Sequence, residues 1–102
     1  MIVVIVTARA RDGHEAEVQD ALLEAARLTR AEPGCVQYDL HVGAEDPALV
    51  AVYERWADQA ALDAHYQTPH ARALHAKGRE LLDGKPSMVA YALLEAEQDA
   101  RA

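Results

Sequence analysis

The chain has 102 residues, 51% of them hydrophobic, and carries a formal net charge of -7. That length holds one domain with a modest core, and the acidic balance argues against a nucleic-acid partner, whose phosphates call for clustered Lys and Arg. The one cysteine, Cys35, leaves no intrachain disulfide, and no run approaches the ~20 apolar residues of a membrane span.

Residues 2–10 are rich in β-branched side chains and are expected to form a strand. Its apolar part is too short for a signal-peptide core and lacks a basic leader, so the expected location is the cytoplasm. Asp12, with Glu15 three residues on, fits an N-cap and its reciprocal carboxylate. The helix that follows places Val18, Ala21, Leu22, Ala25 and Leu28 on one stripe, with Glu17, Asp20, Glu24 and Arg27 on the other face. Glu32-Pro33-Gly34 stops that helix and turns the chain. From Cys35 the period is two: Val36, Tyr38, Leu40 and Val42 point one way, Gln37, Asp39 and His41 the other. After a turn at 43–47, residues 49–56 form a third strand, with Val50, Val52, Glu54 and Trp56 on one face. Asp58 caps a short helix ending at His65-Tyr66, and a second opens at Thr68-Pro69, where proline suits the first helical position. Asp83-Gly84-Lys85-Pro86 ends it, and 87–95 form a fourth strand. The domain is expected to cover 1–96, with a short acidic tail at 97–102.

The order βαββαβ predicts an α+β ferredoxin-like domain, with both helices on one face of an antiparallel sheet. The other face should also be covered. The first strand is apolar on both sides, and the fourth offers Val89, Tyr91 and Leu93 on one side with Met88, Ala90, Ala92 and Leu94 on the other. A strand with one wet face would alternate, so a second copy packed sheet to sheet is the expected cover.

Candidate chemistry concentrates between Tyr53 and His70. His65 follows Ala61 and Leu62 on their inward stripe, near Glu54 and Trp56. It reads as a base in a small pocket or, equally, as a buried neutral imidazole bonded to a backbone carbonyl. His75 falls within the inward stripe of Ala71, Leu74, Gly78 and Leu81. His70 sits in the first turn of its helix, where the helix N-terminus disfavours a charged imidazole, and a solvated or capping role is the alternative. The three histidines are five residues apart, whereas two ligands on one helix face lie three or four apart, so no metal site is expected. Glu54 on a covered face would have its pKa raised. Asp39 and Arg55 are strand charges for which an edge or interface salt bridge is the alternative. No G-x-G-x-x-G run, nucleophile elbow or paired-cysteine motif supports bound flavin or nicotinamide.

The strings E-P-G-C-x-x-Y-D-L at 32–40, Y-E-R-W at 53–56 and A-L-D-A-H-Y-Q-T-P-H at 61–70 resemble the antibiotic biosynthesis monooxygenase family, and within it the quinol monooxygenase branch. The resemblance implies dimeric α/β barrels of ferredoxin-like domains. It also implies oxygenation of an electron-rich phenol, quinol or anthrone by dioxygen without flavin, haem or metal. By position, His65 would be the base or anion stabiliser, and Trp56 and Tyr66 the pocket walls. Glu54 and Asp39 match acidic positions that orient His65 or bind substrate hydroxyls, and His70 matches the T-P-H motif. Two related branches compete. A haem-degrading one places its iron ligand where His75 stands, but has tryptophan at the position of His65. A branch processing phosphorylated autoinducer-2 shares Tyr38-Asp39-Leu40 and H-x-x-T-P-H but needs cations for phosphate, and only Gln37 stands near the matching region. A non-catalytic ligand-binding dimer is the remaining alternative.

Overall fold

The β-branched run forms β1 (Ile2–Arg9) and the amphipathic stripe forms α1 (Glu15–Thr29) in a computed structural model that describes residues 1–95. β2 (Cys35–Val42) and β3 (Leu49–Trp56) make a hairpin. α2 (Gln59–Tyr66) and α3 (Pro69–Leu81) are the two parts of a broken helix, and β4 (Ser87–Ala92) returns to the sheet. The strand order is β2-β3-β1-β4 with every pair antiparallel, the expected α+β ferredoxin-like fold. The tail expected at 97–102 lies outside the described residues. Among the described residues, no helix is long and apolar enough to cross a membrane.

The helix break is built as the sequence indicates. Asp58 Oδ1 accepts the Ala61 amide at 2.8 Å, and Thr68 Oγ1 accepts the Ala71 amide at 3.2 Å with Pro69 opening α3. Each such cap contributes about 1 kcal/mol. The expected Asp12 cap does not form. A turn closes first, His14 N donating to Arg11 O at 2.9 Å with Gly13 at φ +84°, which moves the helix start to His14. Glu15 then takes the Gly13 amide on its carboxylate at 2.8 Å.

Two strand expectations also shift. A bulge between Cys35 and Gln37 lets Cys35 sit opposite Trp56, so Val36 leaves the face of Tyr38 and is 51% exposed. β4 stops at Ala92 rather than at residue 95, because Ala92 pairs with Ile2, the first residue of β1, and beyond it there is no partner strand. β3 alternates as expected, with Val50, Val52, Glu54 and Trp56 buried.

The core divides into two clusters on the helix face of the sheet. One gathers Val4, Ala26, Tyr38, Val52, Trp56 and Leu62; the other gathers Ala10, Val18, Ala48 and Val50. The opposite face of the sheet is open and mixes polar side chains with the apolar Ile5, Leu49, Val89 and Tyr91, which are between 40% and 49% exposed.

Candidate active site

Between the two clusters the helices stand off the sheet and leave a cavity of about 690 Å³. Val6, Ala8, Val50 and Val52 make its floor; Ala21 and Leu22 of α1 and Ala71, Leu74 and Gly78 of α3 make its walls. Small side chains at Ala8, Ala21, Ala71 and Gly78 leave this room, which is of the size of a small-molecule site. Tyr38, Glu54, His65 and Tyr66 gather at the end of the cavity nearest the start of α3.

The antiparallel register explains how that end is assembled. Cys35 pairs with Trp56, so the turn after α1 lies beside the turn after β3. Ala57 N donates to Gly34 O at 2.8 Å, fastening the two turns together. Gly34 adopts φ +84°, and a Cβ there would lie 2.5 Å from the Cβ of Ala61, so only glycine lets α2 approach this closely. The approach brings Glu32, just past α1, under His65. The break at Thr68, whose hydroxyl donates to His65 O at 2.7 Å, then turns α3 so that His70 faces the same carboxylate.

His65 Nδ1 and His70 Nε2 both lie 2.7 Å from Glu32 Oε2. An ionised carboxylate only accepts, so each imidazole donates to it, and the protons sit on Nδ1 of His65 and Nε2 of His70. In the neutral imidazole of His65 this leaves Nε2 as the lone-pair acceptor. Among the described residues that nitrogen has no hydrogen-bond partner, and His65 lines the cavity. The ring packs between two tilted aromatic rings, Trp56 at a centroid distance of 4.7 Å and Tyr66 at 5.5 Å. The Glu32 and His65 side chains are only 11% and 8% exposed. A buried anion held by two donors is paired, and the pairing fixes the tautomer of the group facing the cavity.

Glu54 is the second buried carboxyl of the site. Burial, reinforced by the charge of Glu32, pushes its pKa up to about 7, although the 2.9 Å hydrogen bond from Trp56 Nε1 acts in the opposite direction. Near neutral pH a substantial fraction of Glu54 is therefore protonated and can donate a hydrogen bond into the cavity. Burial, and then the Glu54 and Asp63 charges, raise the Tyr66 phenol as well. Burial also holds Tyr38, which faces Glu54 across the β2–β3 pair, in its protonated form.

Several site expectations are redistributed. His65, Glu54 and Tyr66 come together at one end of the cavity, whereas His70 does not line it and instead contacts Glu32; Glu54 does not orient His65, Glu32 does. Trp56 is fully buried behind His65 and is not an exposed wall. Its indole N–H is committed to Glu54. Asp39 points to the opposite face of the sheet, beside Tyr53 in register, and accepts from Gln37 Nε2 at 2.6 Å. Strict alternation after the bulge puts it there. His75 is exposed at the cavity rim, its ring 6.3 Å from that of Tyr66. It shares the cavity-lining stripe of Ala71, Leu74 and Gly78, as expected, but stays exposed because α3 stands off the sheet there.

The five-residue spacing that argued against a metal set is bypassed by the break and by Glu32. One ligand atom from each of Glu32, His65 and His70 lies within 4.8 Å of the others. At 2.7 Å these contacts are hydrogen bonds. A cation would have to displace both shared protons, so the hydrogen-bonded and metal-bound forms are alternatives.

Sequence reasoning missed Glu32, which it took only for a helix stop. The available signal was topological, since hairpin pairing of β2 with β3 places the two preceding and following turns side by side. It also missed the cations. Arg11, Lys77, Arg79 and Lys85 all line the cavity, though they are scattered in sequence.

Comparison with known proteins agrees with this architecture. The antibiotic biosynthesis monooxygenase family model matches residues 1–77. A Bacillus subtilis (strain 168) protein named "Putative monooxygenase YcnE" is 36% identical over 80 residues, covering 76% of this chain and 84% of its own length. The Mycobacterium tuberculosis (strain H37Rv) protein named "Putative monooxygenase Rv0793" is 40% identical over 76 residues, 74% of either chain. Its solved structure superposes with a TM-score of 0.88, covering 95% of this chain and 98% of that one at 29% identity. The crystal structure of PA3566 from Pseudomonas aeruginosa gives a TM-score of 0.85 at 32% identity, covering 92% and 94%. The chain belongs to the antibiotic biosynthesis monooxygenase family.

Proposed function

We propose that the protein is a cofactor-independent monooxygenase that oxidises a small electron-rich hydroxyaromatic, a quinol, phenol or anthrone, with dioxygen. The observation that carries this reading is the imidazole of His65, oriented by buried Glu32 so that Nε2 is its free acceptor in a largely apolar cavity. The substrate hydroxyl gives its proton to Nε2, and the neighbouring Glu32 carboxylate stabilises the resulting imidazolium. The oxyanion, desolvated by the apolar floor, passes one electron to dioxygen. The radical pair combines with a C–O bond to give a peroxide, which takes back the proton from His65. Loss of water then breaks the O–O bond and a C–H bond at the same carbon, leaving a carbonyl. One oxygen atom enters the product and the other leaves as water. The substrate itself supplies all four electrons, so no external reductant is needed. Glu54 in its protonated form donates a hydrogen bond to the peroxide oxygen that departs.

The oxygenase reading is checked by oxygen uptake with a naphthoquinol or an anthrone. Turnover is expected to fall at least about 100-fold in His65→Ala, the usual scale for losing a positioned base. Wild-type rates no faster than autoxidation in buffer would sink it.

The open face of the sheet supports a homodimer as the working unit. Ile5, Val89 and Tyr91 make an exposed apolar surface on two paired strands, the kind of surface that a partner covers. The double variant Ile5→Lys with Tyr91→Lys is expected to run as a monomer in light scattering, where the wild type runs as a dimer. A wild type that is monomeric at micromolar concentration contradicts the assignment.

A further inference from the structure

The acid-base groups occupy one end of the cavity, and the other end has a different character. Arg11, Arg79 and Lys85 line it there, with Lys77 on the rim, so four of the ten lysines and arginines of an acidic chain border one cavity. Glu54, at the far end and partly neutral, is the one acidic lining residue.

Three separate segments converge to make this cationic end. Arg11 follows β1 and is fixed by its Nε donating to Leu82 O at 3.0 Å and its amide donating to Leu81 O at 2.9 Å. Arg79 stands in the last turn of α3, and Lys85 in the link to β4. Arg79 and Lys85 have no ion-pair partner among the described residues, and Arg11 is bonded to a carbonyl and not to a carboxylate. Elsewhere on the surface Arg9 pairs with Asp46 and Arg27 with Glu24. Here they are left to the cavity mouth.

The distance between the two ends follows from the floor. Glu54 and Val50 line the same face of β3 four positions apart, which at the rise of a strand is roughly 13 Å. The floor between them is apolar, made by Val52 and, on β1, Val6 and Ala8.

We propose that the cavity takes an elongated ligand with an anionic group, a carboxylate or phosphate, at the end away from its aromatic ring. The anion lies among Arg11, Arg79 and Lys85, and the ring lies against Tyr66 and His65. The direction in which the ligand lies rests on the oxygenase reading; the preference for an anionic tail does not.

The test is therefore made on binding and not on turnover. Calorimetry compares 4-(1-naphthyl)butanoate, which has no hydroxyl to oxidise, with its methyl ester and with the corresponding alkyl phosphate. The acid is expected to bind about tenfold more tightly than the ester, a few exposed charges each contributing a few-fold. That margin should shrink as salt is raised through 0.5 M. Arg79→Gln with Lys85→Gln should remove the margin while leaving ester binding unchanged, and the distant Arg72→Gln should keep it. A phosphate that binds more tightly than the carboxylate assigns the natural tail to a phosphoryl group, and the reverse order assigns it to a carboxylate. Equal affinity for acid and ester in the wild type overturns the proposal, as does a double variant that weakens both alike. Tail-dependent binding without any oxygen uptake from a matching carboxylated quinol would leave this inference standing and remove the oxygenase reading.

Discussion

Glu32→Gln is expected to lower kcat by about 10²- to 10⁴-fold with little change in KM, the scale seen when a carboxylate that orients a catalytic imidazole becomes an amide. The reason lies in the donor count. Glu32 Oε2 accepts from His65 Nδ1 and His70 Nε2 at 2.7 Å each. A glutamine has one accepting oxygen, and its NH₂ is a donor that must find an acceptor in the same tight space. Where that NH₂ takes the place of Oε2, it meets only the two imidazole nitrogens, and it then favours the tautomer of His65 with the proton on Nε2. That tautomer presents a donor to the cavity and cannot take the substrate proton. The change leaves a buried donor imperfectly paired, a cost of about 1–3 kcal/mol in stability. Glu32 acts through His65, so activity alone does not identify its role. Nitrogen-15 NMR of the His65 ring should show Nδ1 protonated in the wild type and Nε2 protonated in the variant. His70→Gln keeps the carboxylate and one donor to it, and should reduce kcat less than about tenfold. If Glu32→Gln leaves the tautomer and kcat unchanged, Glu32 is a structural anion and His65 is not oriented by it.

The same residues show what was legible in the sequence. The fold was legible because each element carries its own local signal: β-branched alternation in β1 and β3, the stripe of α1, and caps at Asp58 and Thr68. His65 was legible as inward-facing because the stripe of α2 is local too. Glu32 was not. Its contact with His65 spans 33 residues and depends on two turns meeting, and no helical or strand period reports that. Asp39 misled for the complementary reason: its place in the motif says acid near the site, while the alternation of β2 past its bulge sends it to the other face. Asp12 failed as a cap because Gly13 allowed a competing turn. The cations at the mouth come from three segments that are distant in sequence, so no pattern of charge could reveal them.

Trp56 should be the residue whose truncation costs most. It is fully buried in the first core cluster, and its indole both backs His65 and donates to Glu54. Trp56→Ala is expected to destabilise the protein by about 3–5 kcal/mol, from lost apolar contact and the cavity left behind. At roughly 4–8 °C per kcal/mol for a domain of this size, that is enough to threaten folding at growth temperature. Trp56→Phe separates the packing from the hydrogen bond. It keeps most of the ring and removes the donor that favours ionised Glu54, so the Glu54 pKa should rise above about 7. The sign for stability follows from the direction. A carboxyl at about 7 in the folded state and 4.5 when unfolded holds its proton more tightly when folded. Its contribution, up to about 3 kcal/mol, is fully present below pH 4.5 and is lost as pH rises through about 7. Urea unfolding across that range should therefore show this component falling with pH in the wild type. In Trp56→Phe the fall should extend to higher pH, and in Glu54→Gln it should be absent. Superimposable pH profiles for the wild type and Glu54→Gln would show that Glu54 titrates normally and does not carry a proton at neutral pH, and would remove it as the donor to the departing oxygen.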